Sequence, residues 1–519
     1  MLIESRAIAN DPPREMDICI IGAGIAGLVL ARGLEGRGLS VWLFESGGSK
    51  FDSRMQNLNA GQSNQQDYPF TQSRVRGFGG TSSSWAGACI PLDPFDFEPR
   101  SWLSNSGWPI SYGDLHTYYD KAKADFGIGC TSEFQSKLDR SPLNQGDLEA
   151  KTVAYSAPLN LGKRYRNLIS SSTEIHCVLN ATATEIIPTP DGKRVDRVEL
   201  ATTDGARFFV SPKAVVVSAG GIENTRLLLA SNSVQSAGLG NSYDVVGRYH
   251  MEHPIRTAGV LPIGAQYRSF LPFTNRSRLT TADLQGTFGL TRAARAREKV
   301  LDLHLRCYRF NVLEDTGQVR QAKQAVHEFG KNQSLASVKK VAGALHPTTC
   351  RYLGWHAKNK LWKYSHFDHI RMTAFVEQEP LAENRITLSH ELDGLGSPLP
   401  YLKLRESARM YEGIQRSMSA IGRALRTAGY PGLRYDEQTL AHLDQYNDYG
   451  LHHMGSTRMA SNPRFGVVDK HCCVFGMNNL FVAGSSVFAT GGAANPTWTI
   501  AALALRIADE VTKRMDSYE

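Results

Sequence analysis

The stretch Asp17–Leu28 constrains this chain more than any other. It reads Asp-Ile-Cys-Ile-Ile-Gly-Ala-Gly-Ile-Ala-Gly-Leu. The apolar run Ile18 to Ile21 predicts a buried strand. Leu28 to Leu34 continues with small and apolar residues, as a helix packed on a sheet does. Between them Gly22, Gly24 and Gly27 stand at GxGxxG spacing. Gly22 serves the tight turn, Gly24 lets backbone approach a pyrophosphate, and Gly27 lets the helix lie close to the sheet. The helix N-terminus offers free N–H groups and a positive dipole end to phosphate. A second strand, Val41 to Phe44, ends in Glu45, about 20 residues beyond Gly22, where a ribose-binding carboxylate belongs. Strand, helix, strand and acid in this order predict a dinucleotide site.

A chain of 519 residues exceeds what one core usually holds, so two domains are expected. No apolar run is long enough to span a bilayer. Met1 to Glu15 carries acids and prolines and lacks the apolar centre of a signal peptide. Eight cysteines without framework spacing read as reduced thiols and a cytoplasmic setting. Cys472 and Cys473 read as buried structural thiols. No Cys/His spacing suggests a metal site. The net charge is +8, and a basic stretch between Arg320 and Arg371 carries an excess of equal size. It reads either as a solvated helical face or as a docking surface for a partner, an anionic substrate or a membrane. Nothing resembles a nucleic-acid module.

Along the chain, a polar excursion from about 50 to 75 precedes Gly77-Phe-Gly-Gly-Thr-Ser-Ser-Ser-Trp85, a loop of N–H and O–H donors. A helix from Ser111 to Ala124 is expected, capped by Ser111 with Asp114. Strands are expected at 175–179, 182–187, 195–200, 206–210 and 213–217, with turns at Asp191-Gly192 and Asp204-Gly205. The last strand enters a second glycine turn at Ala219, Gly220 and Gly221, followed by a helix from Arg226 to Ala230. From about 258 to 445 strands at 284–290, 370–377 and 385–388 mix with helices at about 319–344 and 410–428, a candidate substrate domain. Near the C-terminus stand His452-His453-Met-Gly-Ser-Thr-Arg-Met459, the strand Leu480 to Ala483 with its turn at Gly484, and Asn495-Pro496-Thr497 before a helix from Thr499 to Lys513.

These motifs together resemble the glucose-methanol-choline (GMC) flavoprotein oxidoreductases nearly end to end. Asn495 stands where other members carry a second histidine, which resembles the pyranose oxidase and bacterial sugar or polyol dehydrogenase branch. The resemblance implies an α/β fold (α+β overall). It implies a discontinuous Rossmann-like FAD domain, 14–257 with 446–519, and a substrate domain, 258–445, with a mixed or antiparallel sheet and helices. It implies FAD held by Gly22, Gly24, Ala26, Gly27, Glu45 and Ser46, with Gly80, Thr81 and Ser82 lining the flavin and Val178 facing the adenine. Ala219, Gly220, Gly484, Asn495, Pro496 and Thr497 complete that set. Ser84 replaces the histidine through which some relatives attach FAD, so a non-covalent cofactor is expected.

His453 and Asn495 are the expected catalytic pair. His453 would be the base and Asn495 would steady the alcohol oxygen. His452 is the rival, because in a strand only one of two neighbours reaches a given face. His253 reads as structural. The expected activity is oxidation of an alcohol on a sugar, aminosugar or cyclitol, passing electrons to O2 or another acceptor. A lyase or decarboxylase on the same scaffold and a non-catalytic flavin-binding protein are the alternatives.

Overall fold

The computed structural model describes residues 1–13, 15–157, 159–278, 282–310, 317–331, 335–344, 346–361, 369–434 and 448–516. At its centre the strand Ile18–Ile21 lies in a six-stranded parallel sheet. The order across the sheet is Leu2–Glu4, Ile175–Leu179, Val41–Glu45, Ile18–Ile21, Ala214–Val217, Leu480–Val482. Central parallel strands are covered on both faces and so read as unbroken apolar runs. Every residue of Ile18–Ile21 and of Ala214–Val217 is buried. The helix Ile25–Leu34 follows the first glycine turn and packs on the C-terminal helix Thr497–Asp516. Gly33 makes that approach possible, since a Cβ there would lie 3.0 Å from the Ala508 Cβ.

A second sheet of seven strands is antiparallel throughout. Its order is Asp448–Tyr449, Pro254–Pro262, His369–Val376, Leu303–Phe310, Asp283–Leu290, Leu148–Tyr155, Ala88–Cys89. Strands from both sides of the 258–445 segment therefore build the sheet expected within it. The excursion after residue 50 is anchored too. Gln62–Ser63 pairs in parallel with Pro398–Lys403, which pairs with Arg385–Leu392. The meander Ala181–Pro188, Val195–Thr202, Arg207–Val210 turns at Gly192 and Gly205, both at positive φ, as Asp-Gly turns require.

Several boundaries shift from the sequence expectation. The helix after the second glycine turn is Gly221–Ala230, starting earlier than Arg226. Its polar first turn, Glu223-Asn224-Thr225, hid it, because these side chains bond inward rather than to solvent. The expected helix over 319–344 is two, Gly317–Lys331 and Leu335–Gly343, followed by Pro347–Leu361. Lys339, Lys340 and Arg351 of the basic stretch are exposed, whereas Lys363 and Asp368 lie outside the described residues. The helix Gly113–Ala122 has the expected cap: Asp114 N–H donates to Ser111 Oγ and Ser111 N–H donates to Asp114 Oδ2.

A buried ionic web joins the two sheets' surroundings. Arg100 forms a two-pronged pair with Glu377, both side chains almost wholly buried. Arg295 lies among Asp93, Asp96 and Asp302. All eight cysteines are free, and Cys472 and Cys473 are buried. Among the described residues no helix is long and apolar enough to cross a membrane.

Candidate active site

The ends of Ile18–Ile21, Val41–Glu45, Ala214–Val217 and Leu480–Val482 open into one cavity of about 570 Å³. Such crevices at the carboxyl ends of parallel strands are where this kind of sheet binds ligands. Gly22 and Gly24, Ala219 and Gly220, and Gly484 and Ser485 bring backbone to the same wall. Asn224 ties two of these turns together: its Oδ1 accepts from Ala219 N–H, and its Nδ2 donates to the Ala483 carbonyl and to Ser486 Oγ. The N-terminus of the Thr497–Asp516 helix, with Pro496 and Thr497, closes another side.

The lining fits FAD. A Cβ on Gly24 would meet nothing within 4 Å, and Gly220 is the same, so bare backbone faces open space at both turns. Gly22 sits at φ +102°, and its missing Cβ would lie 2.8 Å from the Ser218 carbonyl oxygen. Backbone amides, hydroxyls and a helix N-terminus make the donor set that a pyrophosphate needs. Glu45 is buried and holds the first turn, accepting from Ala23 N–H and Gly47 N–H at 2.8 Å each. Burial raises its pKa against those bonds. Glu45 borders the cavity, as do Ser46 and Ala26. Arg76 donates to Ser46 Oγ at 2.9 Å. Arg74, Arg76 and Arg226 share Glu223, and Arg226 also pairs with Asp393. At this wall three cations thus meet Glu223, Asp393 and, beside Arg76, Glu45. The sequence signal for it was the Arg74-Val-Arg76 run before the glycine loop.

Gly80 and Thr81 line the cavity, but Ser82 does not. Ser82 Oγ donates to the Gly79 carbonyl and accepts from Leu161 N–H, so it staples the loop to the helix Leu161–Ser171. Gly27 has the packing role expected of it and lies off the lining, since a Cβ there would overlap the Gly22 carbonyl. Val178 is a correction. It is wholly buried in a central strand, in register with Ile3 and Phe44. The chain reaches the cavity only after Asn180 turns it at φ +59°, and Ala181 to Thr184 form that wall.

The two histidines correct a second expectation. Residues 450–453 are not in a strand, and Leu451 is left-handed at φ +54°. The alternation of faces therefore does not apply, and both rings border the cavity. Asn495 Nδ2 lies 3.4 Å from Nε2 of His452. His453 instead turns its Nε2 to Glu252 Oε1 at 3.4 Å, beside the rings of Tyr68 and His250. The pair the structure brings together is thus His452 and Asn495. Glu252 anchors the segment: it accepts from His452 N–H at 2.7 Å and from Tyr68 O–H at 2.6 Å. Burial pushes its pKa up, but the His453 and His250 rings and the Tyr68 hydroxyl hold it down at about 2. Burial lowers the His452 pKa to about 3, helped by His253, and that of His453 to about 4. Both rings are neutral at ordinary pH.

The second sheet supplies the opposite wall through Ile255, Arg306, Phe375 and Tyr449. Arg306 donates to Asn495 Oδ1 at 2.6 Å and lies over the Phe375 ring. The sequence carried no signal for this arginine, which is one of two in the strand Leu303–Phe310.

Known flavin enzymes are similar to this chain over nearly its whole length. Residues 380–504 match the GMC oxidoreductase family and residues 17–233 the FAD dependent oxidoreductase family. The chain is 26% identical to the 2-methyl-1,2-propanediol dehydrogenase of Mycolicibacterium austroafricanum, over 86% of this chain and 84% of that one. It is 24% identical to the fructose dehydrogenase large subunit of Gluconobacter japonicus, over 95% and 97%. To the paromamine 6'-oxidase of Streptomyces fradiae it is also 24% identical, over 97% and 92%. A solved formate oxidase variant from Aspergillus oryzae RIB40 shares the fold, with a TM-score of 0.57 at 16% identity, over 98% and 99%. Together these matches mark the chain as an FAD-dependent alcohol oxidoreductase that carries a GMC oxidoreductase region and resembles the GMC enzymes nearly end to end.

Proposed function

We propose that this protein oxidises an alcohol on a sugar-like or other polyhydroxylated substrate, with His452 as the base and FAD bound without a covalent link. The observation that carries the reading is the contact of His452 Nε2 with Asn495 Nδ2 at the cavity wall. An alcohol oxygen between them accepts from the Asn495 amide and gives its proton to His452. Bound FAD supplies the acceptor for the hydride leaving the adjacent carbon, which completes a two-electron oxidation to the carbonyl. The neutral His452 ring is ready to take the proton, and Asn495, held by Arg306, steadies the developing alkoxide. Arg306 and the Phe375 face give the substrate wall both a polar and an apolar character, which suits a polyol. The names of the fructose and paromamine relatives support the sugar-like class. Gly22, Gly24, Gly220 and Gly484 would hold the pyrophosphate and flavin edge by backbone, Thr182 and its neighbours the adenosine end, and Glu45 the ribose. Ser84, which borders the cavity, offers no imidazole for covalent attachment.

The test is anaerobic titration of the flavin-loaded enzyme with neutral sugars, aminosugars, cyclitols and simple diols. One polyol class bleaches the flavin band. His452→Ala keeps FAD and slows bleaching by roughly 10²–10⁴-fold, whereas His453→Ala slows it far less. Full-rate bleaching in His452→Ala, with loss in His453→Ala, would return the base to His453. Readmitting air separates an oxidase from a dehydrogenase.

A further inference from the structure

His253 is wholly buried, and neither the cofactor nor the substrate wall accounts for it. Its Nε2 lies 2.8 Å from the Gly492 carbonyl oxygen, and its Nδ1 lies 2.8 Å from Nδ1 of His452. A carbonyl only accepts, so the proton of His253 is on Nε2. Burial in this setting lowers the His253 pKa, so the ring carries one proton and its Nδ1 is bare. His452 must then donate from its own Nδ1. Being neutral as well, it has a bare Nε2. That is the atom facing Asn495.

The far end of this chain is fixed in the same way. A guanidinium only donates, so the Asn495 atom at Arg306 is the oxygen, and the amide nitrogen turns to His452. From the Gly492 carbonyl to Arg306 every donor and acceptor is therefore assigned, and each assignment forces the next. Glu252, His453 and Arg306 are the other charged or titratable groups around His452. Glu252 touches its backbone N–H rather than its ring.

We propose that His253 is a positioning residue that holds the base in the one tautomer able to accept the alcohol proton, with the Gly492 carbonyl as the fixed reference. This rests on His452 being the base. A histidine whose second nitrogen is held by a partner has its tautomer and orientation set by that partner. With the opposite tautomer, His452 would present N–H to the alcohol and could not act as a base.

Three variants and one spectrum test this. His253→Leu removes the acceptor for His452 Nδ1–H. Flavin reduction by a saturating alcohol falls roughly 10- to 100-fold, with little change in the half-saturating alcohol concentration. His253→Asn, whose Oδ1 can stand in for the ring Nδ1, recovers most of the rate. A ¹⁵N spectrum of histidine-labelled, FAD-loaded enzyme, with His452 assigned through His452→Gln, shows His452 protonated at Nδ1 and bare at Nε2. His253→Leu reducing its flavin at the wild-type rate would overturn the proposal, as would a wild-type His452 protonated at Nε2. The spectrum decides if the Leu variant does not fold. His452→Ala separates the two ideas. If it still reduces FAD, the assignment of the base has failed. If it does not and His253→Leu is unimpaired, the tautomer lock alone has failed.

Discussion

Acid should destabilise this protein through its active-site histidines before its carboxylates matter. In the folded chain the pKa of His452 lies at about 3 and that of His453 at about 4, against an ordinary value of 6.5. Burial is the main cause in both. Between about pH 4 and 6.5 the unfolded chain therefore holds two protons that the folded chain lacks. Stability is fully present above pH 6.5 and falls as pH drops through this window. Each group contributes about 1.4 kcal/mol per pH unit, so the pair costs about 4 kcal/mol at pH 5 relative to neutrality. Lowered in the same direction, His253 adds to the slope. His452→Gln removes one titrating ring and should flatten the fall by about 1.4 kcal/mol per pH unit. Urea unfolding of the FAD-loaded enzyme at pH 5, 6 and 7, wild type against variant, measures the difference. Parallel slopes would mean that His452 gains its proton in the folded state near its ordinary pKa. The ring would still be mostly unprotonated near neutral pH, so that result would refute the burial argument and leave the assignment of the base standing.

Other perturbations have distinct signatures. Gly27→Ala forces a Cβ into the Gly22 carbonyl, so it should yield protein without bound flavin, read from the absorbance ratio after purification, and cost about 1–3 kcal/mol by overpacking. Val178→Ala should lower stability by about 2–3 kcal/mol yet leave FAD affinity unchanged in a reconstitution titration, since the side chain is in the core. Arg100→Met leaves Glu377 buried and unpaired and should cost about 3–5 kcal/mol in denaturant unfolding, while Arg100→Met with Glu377→Met recovers most of it. Acid precipitation should release yellow flavin into the supernatant, whereas colour retained in the pellet would establish a covalent link.

The dinucleotide cradle was legible because its requirements are local. Gly22 and Gly27 answer steric demands from residues near them in sequence or from the adjacent strand, Gly24 leaves its side open, and buried parallel strands leave unmistakable apolar runs. Asn495 was singled out by the family resemblance that its Asn-Pro-Thr motif carries, and the structure sets it at the cavity wall. The choice between His452 and His453 was not legible. It turns on one backbone angle at Leu451, which removes the segment from any periodic pattern. The resemblance placed Val178 against the adenine, whereas its side chain is buried and the cavity wall begins only at Ala181. Arg306 reaches Asn495 across 189 positions of sequence. In its strand Leu303, Leu305 and Cys307 alternate with His304, Arg306 and Tyr308, and nothing in that alternation distinguishes a cavity-facing cation from a solvated one. The antiparallel sheet drew strands from 88–89, 148–155 and 448–449, pairings that only long-range packing decides.

The left-handed Leu451 has a consequence for how this enzyme could evolve. A branched side chain at φ +54° costs of order 1–3 kcal/mol that glycine would not incur. Leu451→Gly is thus an available route to a hardier protein, at a position that itself lines the cavity. Yet the residue it frees is the one that precedes His452. Selection for thermal endurance and selection for turnover would pull this position in opposite directions. A library screened for survival alone should enrich glycine here, and one screened for flavin reduction should keep leucine.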